Sequence, residues 1–302
     1  MMRRTQKQIM QAWVSREPPL VSICCITYNH KSYLGEAIDS FLMQDTEFPF
    51  EIIIHDDASV DGTVDIVQDY AEKYPDIIRI IVQTENQYSK GGLINPRFVF
   101  PVTRGKYIAL CEGDDYWMDK TKLQKQVDFL EDHPEYVITF SDCQPFDENG
   151  KLGINFGGAR RDLTSIELKQ STPISTLTVC FRNVIKGIPQ DLMSARYGDL
   201  VIWSLLGAYG KGKYMSDIIP SAYRVHDSGV HSKLSIKKKH EMAAITRAAL
   251  FAYYKRNNNQ NLAQFYKLQT LKSIFLSMTW SDMYRLVLRD IQRIYNKITR
   301  RL

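Results

Sequence analysis

Three carboxylates lie within four residues of one another, at Glu112, Asp114 and Asp115, immediately after an apolar run at residues 107–111. Such a cluster repels itself, and a fold tolerates it most easily when a cation shares the site. Oxygen ligands suit Mg²⁺ or Mn²⁺, and these ions often hold phosphate groups as well. The cluster therefore predicts a divalent-metal site that can bind phosphate. A solvated acidic turn that caps the next helix is the alternative, and both interpretations stay open at this point.

The element before the acidic cluster is predicted to be a buried strand. Apolar and polar residues do not alternate in residues 107–111, which is typical of a strand covered on both faces in a parallel sheet. Three further strands are predicted at residues 21–26, 51–54 and 77–82, with helical periodicity between the first three strands. This strand and helix alternation predicts an α/β fold with a doubly wound, mostly parallel sheet.

Each of these four strands runs into polar or acidic residues, at Asn29, Asp57, Asn86 and Glu112 with Asp114. Parallel strands end at the same edge of a sheet, and ligands of such folds bind there. The four strand ends therefore predict one shared binding site, although polar residues are also common in loops that bind nothing. No glycine-rich dinucleotide motif or P-loop follows any strand, so neither of those nucleotide sites is predicted.

The rest of the chain continues the mixture of strands and helices. The turn at Asn149-Gly150 is a hairpin signal. The predicted elements are a helix at 120–131, strands at 137–140 and 176–181, a helix that opens at 197–199, an extended stretch at 214–225, and helices from 237 onward.

The bulk composition is that of an ordinary globular protein, with 302 residues, 44% of them hydrophobic and 24% charged. Five cysteines lack any CxxC spacing, which predicts reduced thiols in a reducing compartment. No apolar run approaches the ~18 residues of a membrane span, and no signal peptide is predicted at the basic N-terminus. We therefore expect a cytoplasmic protein.

Charge is distributed unevenly along the chain. Residues 237–302 contain 14 Lys and Arg against 3 Asp and Glu, whereas the whole chain carries a net charge of only +5. Residues 283–302 place apolar side chains near one helical face and arginines mostly elsewhere, a pattern suited to an anionic membrane surface. A helix packed on the body of the protein is the alternative. No nucleic-acid-binding motif accompanies the charge, so nucleic acid is not an expected partner.

Three stretches in this order resemble family 2 glycosyltransferases of the bacterial surface-polysaccharide type. They are VSICCITYNHKSYLGEAIDSFLMQ, EIIIHDDASVDGT, and GKYIALCEGDDYW followed by DKTKLQKQVDFL; YGDLVIW and YRVHDSG match less closely. The resemblance implies the GT-A fold, a Rossmann-like sheet flanked by helices with a C-terminal helical extension. It also implies an N-terminal extension at 1–18, a GT-A catalytic domain at 19–232 and a basic helical segment at 233–302.

The resemblance further implies a nucleotide pocket at the strand ends. Asp57 would accept a hydrogen bond from a base or ribose of a nucleoside-diphosphate sugar, such as a uracil N–H of a UDP-sugar. Glu112 stands where the family has the first Asp of its Asp-x-Asp motif. Its side chain is longer than that of Asp, but it still offers oxygen ligands to ribose or metal. The nucleotide-binding residues implied in this way are Thr27, Tyr28, Asn29, Asp56, Asp57, Asn86, Arg97 and Glu112.

The catalytic and metal residues are implied by the same resemblance. Asp114 is the best candidate ligand for Mn²⁺ or Mg²⁺, followed by Asp115 and by His226, with His231 as a runner-up for the histidine. Asp199 matches the position of the base that takes the proton of the acceptor hydroxyl in an inverting displacement. An Asp that merely caps the following helix is the alternative reading of Asp199.

These inferences predict a glycosyltransferase that uses a nucleotide sugar and a saccharide or lipid-linked acceptor, peripheral on the inner face of the cell membrane. Two alternatives from other classes are a nucleotidyltransferase on a similar sheet and a non-catalytic sugar-nucleotide-binding protein. Trp117 and Trp203 could stack on a sugar, but we expect both to pack in the core.

Overall fold

The computed structural model describes residues 4–15, 18–91, 93–153, 158–227, 229 and 234–285. Its strands in this part of the chain are β1 Val21–Thr27, β2 Phe50–Asp56, β3 Ile78–Val82, β4 Tyr107–Leu110, β5 Tyr136–Phe140, β6 Cys143–Asp147, β7 Gly150–Lys151, β8 Cys180–Arg182, β9 Lys211–Tyr214 and β10 Ser221–Arg224. Its α-helices there are α1 Gln6–Met10, α2 Leu34–Leu42, α3 Thr63–Lys73, α4 Lys122–Asp132, α5 Ser165–Lys169, α6 Gly198–Leu206, α7 Ile236–Arg256 and α8 Gln260–Ser277.

The central sheet has seven strands in the order β3-β2-β1-β4-β8-β5-β9. The pairs among β1, β2, β3 and β4 are parallel, as is the pair of β5 with β9, whereas β8 runs antiparallel to both β4 and β5. The predicted α/β class with a mostly parallel sheet is therefore confirmed. Helices pack on the sheet because α2, α3 and α4 each bury one apolar stripe, as in Leu34, Ile38 and Phe41 of α2.

The register of the parallel strands brings their carboxyl ends to one edge. Thr27 of β1 lies opposite Asp56 of β2, and Asp56 lies opposite Val82 of β3. On the other side, Cys24 of β1 lies opposite Leu110, the last residue of β4. The polar residues that follow these strands therefore lie next to one another at this edge, as the sequence analysis predicted.

A small second sheet of order β10-β6-β7 lies beside this edge. β6 and β7 are antiparallel and are joined at the predicted Asn149-Gly150 turn. β10 reaches the acidic loop through an isolated bridge between Ala222 and Tyr116, whose backbones exchange hydrogen bonds of 2.8 and 3.2 Å. This bridge places the segment that follows β10 next to Asp114.

One predicted element is wrong in part. Residues 176–181 were expected to form a strand, but Thr176–Thr178 forms a 3₁₀ turn and the strand β8 begins only at Cys180. The carbonyl of Ser175 accepts hydrogen bonds from both the backbone N–H and the hydroxyl of Thr178, at 3.0 and 2.8 Å. Such local bonds from a threonine side chain favour a turn over an extended ladder.

Both tryptophans flagged in the sequence pack in the core, as predicted. Trp117 is 1% exposed and Trp203 is 0% exposed. The Trp117 indole N–H donates to the carbonyl of Leu177 at 2.7 Å, and its ring lies 4.9 Å from that of Phe41. Neither indole is therefore available to stack on a sugar.

The helices α7 and α8 pack on the body of the protein rather than apart from it. Leu250 and Tyr254 of α7 and Tyr266 of α8 belong to the same buried cluster as α6 and the central sheet. The stacked Tyr254 and Tyr266 rings lie 5.7 Å apart, and their hydroxyls bond to Ser204 and Ser171, both at 2.7–2.8 Å. The part of the predicted amphipathic helix at 286–302 lies outside the described residues. Among the described helices, none combines the length and apolarity that a bilayer crossing requires.

The amino edge of the sheet is held by a buried carboxylate, Glu51 of β2, which is 1% exposed. It accepts hydrogen bonds from the Ser22 hydroxyl at 2.7 Å, from the Arg104 backbone N–H at 2.8 Å and from the Arg104 Nε at 2.8 Å, and the Arg79 guanidinium lies 3.3 Å away. This network is far from the acidic loop along the strands, so it bears on folding rather than on the site.

We expect Glu51→Ala to lower the free energy of unfolding by about 3 kcal/mol, because the substitution leaves buried donors without an acceptor. Denaturant titration of the purified chain measures this loss. Glu72→Ala, at an exposed position of α3, is the matched control and should change the free energy by less than about 0.5 kcal/mol. Equal effects of the two substitutions would contradict a structural role for Glu51.

Candidate active site

The acidic loop after β4 passes unusually close to the end of β1. The Gly113 N–H donates to the carbonyl of Ile26 at 3.0 Å. A Cβ atom at Gly113 would lie only 2.8 Å from Thr27 Oγ1 and 2.9 Å from Thr27 Cβ. Only glycine permits this approach, and it brings Glu112 and Asp114 against the end of β1.

Asp114 meets two imidazoles at this edge. Its Oδ2 atom lies 3.0 Å from Nε2 of His226, which follows β10, and 3.5 Å from Nε2 of His30, which follows β1. One potential ligand atom from each of the three residues falls within 4.8 Å of the others, the only such group of metal-binding side chains among the described residues. One carboxylate and two imidazoles form a mixed oxygen and nitrogen ligand set, which suits a first-row transition-metal ion better than Mg²⁺.

The electrostatics of the acidic loop also fit a cation. Burial, helped by the charges of Asp114 and Asp199, raises the pKa of Glu112 to about 8. Burial likewise raises the pKa of Asp115 well above its usual value, helped by Asp114 and Glu112. Burial alone would raise the pKa of Asp114 too, but its hydrogen bond with His226 and the charge of His30 lower it instead. A bound cation would therefore stabilise the ionised forms of all three carboxylates.

Asp115, predicted as the second metal ligand, lies outside the group of three. It is 4% exposed, and its Oδ1 accepts a hydrogen bond from the backbone N–H of Arg224 in β10 at 2.8 Å. The Arg224 Nε donates to the backbone carbonyl of Asp114 at 2.9 Å, and its guanidinium lies 4.7 Å from the Tyr33 ring centre and 4.6 Å from that of Phe146. These contacts fix β10, and hence His226, relative to the acidic loop.

Asp57 holds the loop that follows β3. Its two carboxylate oxygens accept hydrogen bonds from the backbone N–H groups of Gln87 at 2.8 Å and Tyr88 at 3.0 Å. The Asn86 side chain donates to the Asp57 carbonyl at 3.2 Å and accepts from the Ser89 N–H at 2.7 Å. Asp57 and Asn86 are thus brought together, and they shape one wall of the predicted nucleotide pocket.

The end of β1 forms the opposite part of that pocket. Asn29 has a left-handed backbone, with φ of 55°, and its Oδ1 accepts from the Val60 N–H at 2.9 Å. Asp56 Oδ1 accepts from the Ser59 N–H at 2.9 Å. Among the described residues, Asp56 Oδ2 and Thr27 Oγ1 are buried without a hydrogen-bond partner, while the Tyr28 ring is 38% exposed. Buried polar atoms of this kind are costly unless a ligand satisfies them.

Arg97 lies on a different element from the other predicted nucleotide ligands, a single π-helical turn at Asn95–Val99. Its guanidinium donates to the Gly91 carbonyl at 3.1 Å and lies 4.8 Å from the Phe98 ring centre. These contacts brace the loop after β3. Direct binding of a nucleotide by Arg97 stays a prediction.

Asp199 lies in the first turn of α6 and does not cap it. The capping residue is Tyr197, without a side-chain capping bond, so the alternative reading of Asp199 as an N-cap is wrong. Burial raises the pKa of the Asp199 carboxyl, and its charge in turn raises the pKa values of Glu112 and Tyr88. Asp199 is therefore close to both the acidic loop and the loop held by Asp57.

A hydroxyl from α7 positions the backbone just before Asp199. Thr246, fully buried, accepts hydrogen bonds from the N–H groups of Arg196 and Tyr197, both at 3.0 Å, and donates to the Met242 carbonyl at 3.1 Å. The C-terminal helices thus contribute to the geometry of the site.

Several of these residues were not identified from the sequence. His30 follows Asn29 directly at a predicted strand end, a signal that could have identified it. The hydrogen bonds of Tyr88, Arg224 and Thr246 connect segments that are distant in the chain. No local sequence pattern predicts such contacts. His231, the runner-up histidine, lies outside the described residues.

Comparison with known proteins agrees with this geometry. Residues 22–187, more than half of the chain, match the sequence model of the family described as "Glycosyl transferase family 2". The chain belongs to this family. It is accordingly a transferase enzyme, and the acidic loop and the ends of the first four strands fall within the matched region.

Several curated relatives are similar over most of the chain. An uncharacterized protein of Mycobacterium tuberculosis, Rv1520, is 37% identical over 244 residues, 76% of this chain and 68% of its own length. The putative teichuronic acid biosynthesis glycosyltransferase TuaG of Bacillus subtilis is 29% identical, covering 71% and 82%. The Escherichia coli UDP-Glc:alpha-D-GlcNAc-diphosphoundecaprenol beta-1,3-glucosyltransferase WfaP is 27% identical, covering 70% and 79%.

Two solved structures share the fold. S. aureus TarS 1-349 in complex with UDP-GlcNAc superposes with a TM-score of 0.58 at 19% identity, covering 76% of this chain and 66% of that one. The mannosyltransferase PcManGT from Pyrobaculum calidifontis, in complex with GDP-Man and Mn²⁺, gives 0.53 at 16% identity, covering 96% and 87%. At these identities the likeness concerns the fold alone.

Proposed function

We propose that this glycosyltransferase is metal-dependent and inverting, and that it moves a sugar from a UDP-sugar to a saccharide or lipid-linked saccharide in surface polysaccharide synthesis. The proposal rests mainly on one observation: Asp114 lies close to the imidazoles of His30 and His226. Asp57 and Asp199 lie at the same edge of the sheet. The relative WfaP, named for a UDP-Glc donor and a diphosphoundecaprenol-linked acceptor, supports the choice of donor and acceptor.

Each group has a distinct task in this mechanism. Thr27, Asn29 and the carboxylates of Asp56 and Asp57 bind the nucleoside, which would give partners to Thr27 Oγ1 and Asp56 Oδ2, the two of these atoms that are buried without one. A divalent cation held by Asp114 and His226 would offset the negative charge that develops on the leaving diphosphate. Asp199 removes the proton of the acceptor hydroxyl as that oxygen attacks the anomeric carbon from the face opposite the diphosphate, so the anomeric configuration inverts.

The test is thermal melting of the purified chain with UDP, with Mn²⁺ or Mg²⁺, and with both together. We expect a rise in melting temperature with UDP that requires the metal, because a ligand that binds only the folded state stabilises it. GDP and CMP are the matched controls and should shift melting less. A screen of nucleotide sugars for metal-dependent hydrolysis then identifies the sugar. No metal-dependent UDP shift would contradict the proposal.

The same assays separate the two alternative functions. A nucleotidyltransferase would release pyrophosphate from a nucleoside triphosphate. A non-catalytic binding protein would show no donor hydrolysis that depends on Asp199.

We also propose that the C-terminal helices lie on an anionic membrane surface, which would place the site near a lipid-linked acceptor. Leu268, Leu271 and Phe275 share one face of α8, and each is more than half exposed, while Trp280 beyond the helix is 87% exposed. Residues 237–302 supply the complementary positive charge. Each basic residue near such a surface contributes on the order of 1 kcal/mol.

Sedimentation with vesicles tests this contact. We expect binding to vesicles that contain phosphatidylglycerol and not to pure phosphatidylcholine, with less binding after Leu271→Ser combined with Phe275→Ser. Ile166→Ser removes an equally exposed apolar side chain from α5 and is the control. Equal retention of both variants and the parent chain would contradict the assignment of α8 as the membrane face.

A further inference from the structure

His30 stands in a fixed position facing Asp114. Its backbone N–H donates to the Thr63 hydroxyl at 3.0 Å, and its carbonyl accepts from the N–H groups of Tyr33 and Leu34, both at 2.9 Å. The residue is 8% exposed, and its Nδ1 is buried without a hydrogen-bond partner among the described residues. The backbone of His30 is therefore fixed at the site, the ring lies 6.1 Å from the ring of His226, and the Nδ1 atom makes no hydrogen bond within the described fold.

The spacing of the three side chains matches the edges of a coordination shell. With metal–ligand bonds of about 2.1 Å, adjacent ligands of an octahedral ion lie roughly 3 Å apart and opposite ligands roughly 4.2 Å apart. Asp114 Oδ2 lies 3.0 Å from His226 Nε2 and 3.5 Å from His30 Nε2, and all three ligand atoms fall within 4.8 Å. Small side-chain adjustments would bring all three onto one ion.

We propose that His30 is a direct metal ligand that makes this site select Mn²⁺ over Mg²⁺. The inference rests on the proposed function only for the identity of the site, since it concerns metal choice rather than sugar transfer. Mg²⁺ favours oxygen ligands and loses its water reluctantly, whereas imidazole suits transition metals. A site with one carboxylate and one imidazole would discriminate weakly, and a second imidazole increases the preference.

The first test is Mn²⁺ and Mg²⁺ affinity of the full chain, measured without donor by calorimetry and by competition. His30→Gln replaces an imidazole nitrogen by an amide oxygen, and we expect Mn²⁺ affinity to fall at least about tenfold, since even losing an outer-shell partner of a ligand costs about 10–100-fold. Mg²⁺ affinity should change much less, so the ratio of the two affinities falls. His240→Gln, on α7, is the matched control and should leave both affinities unchanged.

A second measurement counts the imidazole ligands of the bound ion directly. Spin-echo electron paramagnetic resonance of the Mn²⁺-loaded chain should show modulation from two imidazole nitrogens, and His30→Gln should reduce it to one. One nitrogen in the unsubstituted chain, or an unchanged affinity ratio in His30→Gln, would overturn the inference even if UDP binding proves metal-dependent. Conversely, two nitrogens in a chain that hydrolyses no UDP-sugar would support this inference while overturning the proposed function.

Discussion

Replacing Asp199 by Asn is expected to lower sugar transfer by about a thousandfold while leaving UDP and Mn²⁺ binding unchanged. A positioned base contributes roughly 10²–10⁴-fold to such a reaction, and the amide cannot accept the acceptor's proton. Asn keeps a side-chain oxygen that can accept the backbone N–H bonds that the Asp199 carboxyl makes in the first turn of α6, so the substitution changes the helix little. Initial rates with saturating donor, alongside the metal-dependent UDP melting shift, separate the lost chemistry from lost binding.

The pH profile gives this prediction a second readout. Because burial raises the pKa of Asp199, its ionised, proton-accepting form is lost as the pH falls through that raised value. The turnover rate of the parent enzyme should therefore fall on the acid side, and the residual rate of Asp199→Asn should lack that limb. Asp217→Asn, at an exposed carboxylate, is the control. Rates of Asp199→Asn within tenfold of the parent would remove Asp199 from the mechanism.

Replacing Asp114 by Asn is expected to abolish the metal-dependent rise in melting temperature and to reduce transfer by at least about a thousandfold. The carboxylate is the one charged ligand in the group of three, and an amide oxygen binds a divalent cation far more weakly. Without metal, the variant should melt at a slightly lower temperature than the parent, because the hydrogen bond with His226 and the charge of His30 favour the ionised Asp114 carboxylate in the folded state.

Asp119 provides the contrast, because it is a more deeply buried carboxylate of the same segment with a structural role. It accepts hydrogen bonds from the Thr121 N–H at 2.9 Å and the Ile219 N–H at 3.1 Å. Asp119→Asn should lower the melting temperature without metal yet keep the metal-dependent rise. If Asp114→Asn behaved in this same way, Asp114 would be a folding residue and the metal site would lie elsewhere.

The sheet and its binding edge could be predicted because they depend on local patterns. Apolar and polar residues do not alternate in the run before Glu112, which indicates a strand covered on both faces. Polar residues that follow parallel strands of this kind lie together at one edge of the sheet. The 3₁₀ turn at Thr176–Thr178 was missed because threonine is common in strands, and the deciding bonds are those that Thr178 donates to the Ser175 carbonyl. The strand propensity of a residue does not show which hydrogen bonds its side chain will form in the folded protein.

The partners within the site were harder to predict because they join distant segments. His226 reaches Asp114 only because β10 bridges to Tyr116 and the Arg224 guanidinium is held between aromatic rings. The close approach of Gly113 to Thr27 is likewise a product of strand register. Sequence identified Asp114 and His226 as separate candidates, and the position of His30 directly after Asn29 at a strand end was a signal that the sequence analysis did not use.

The hydroxyl of Thr246 has a consequence for how much of the chain is needed. Residues 22–187 match the family, yet the peptide groups just before Asp199 are anchored by α7, well beyond that region. In a chain that stopped before residue 236, the backbone N–H groups of Arg196 and Tyr197 would lose the Thr246 hydroxyl as their acceptor. The segment just before Asp199 would then no longer be anchored to α7. The region that matches the family therefore lacks both Asp199, the proposed base, and the helix that anchors the backbone just before it.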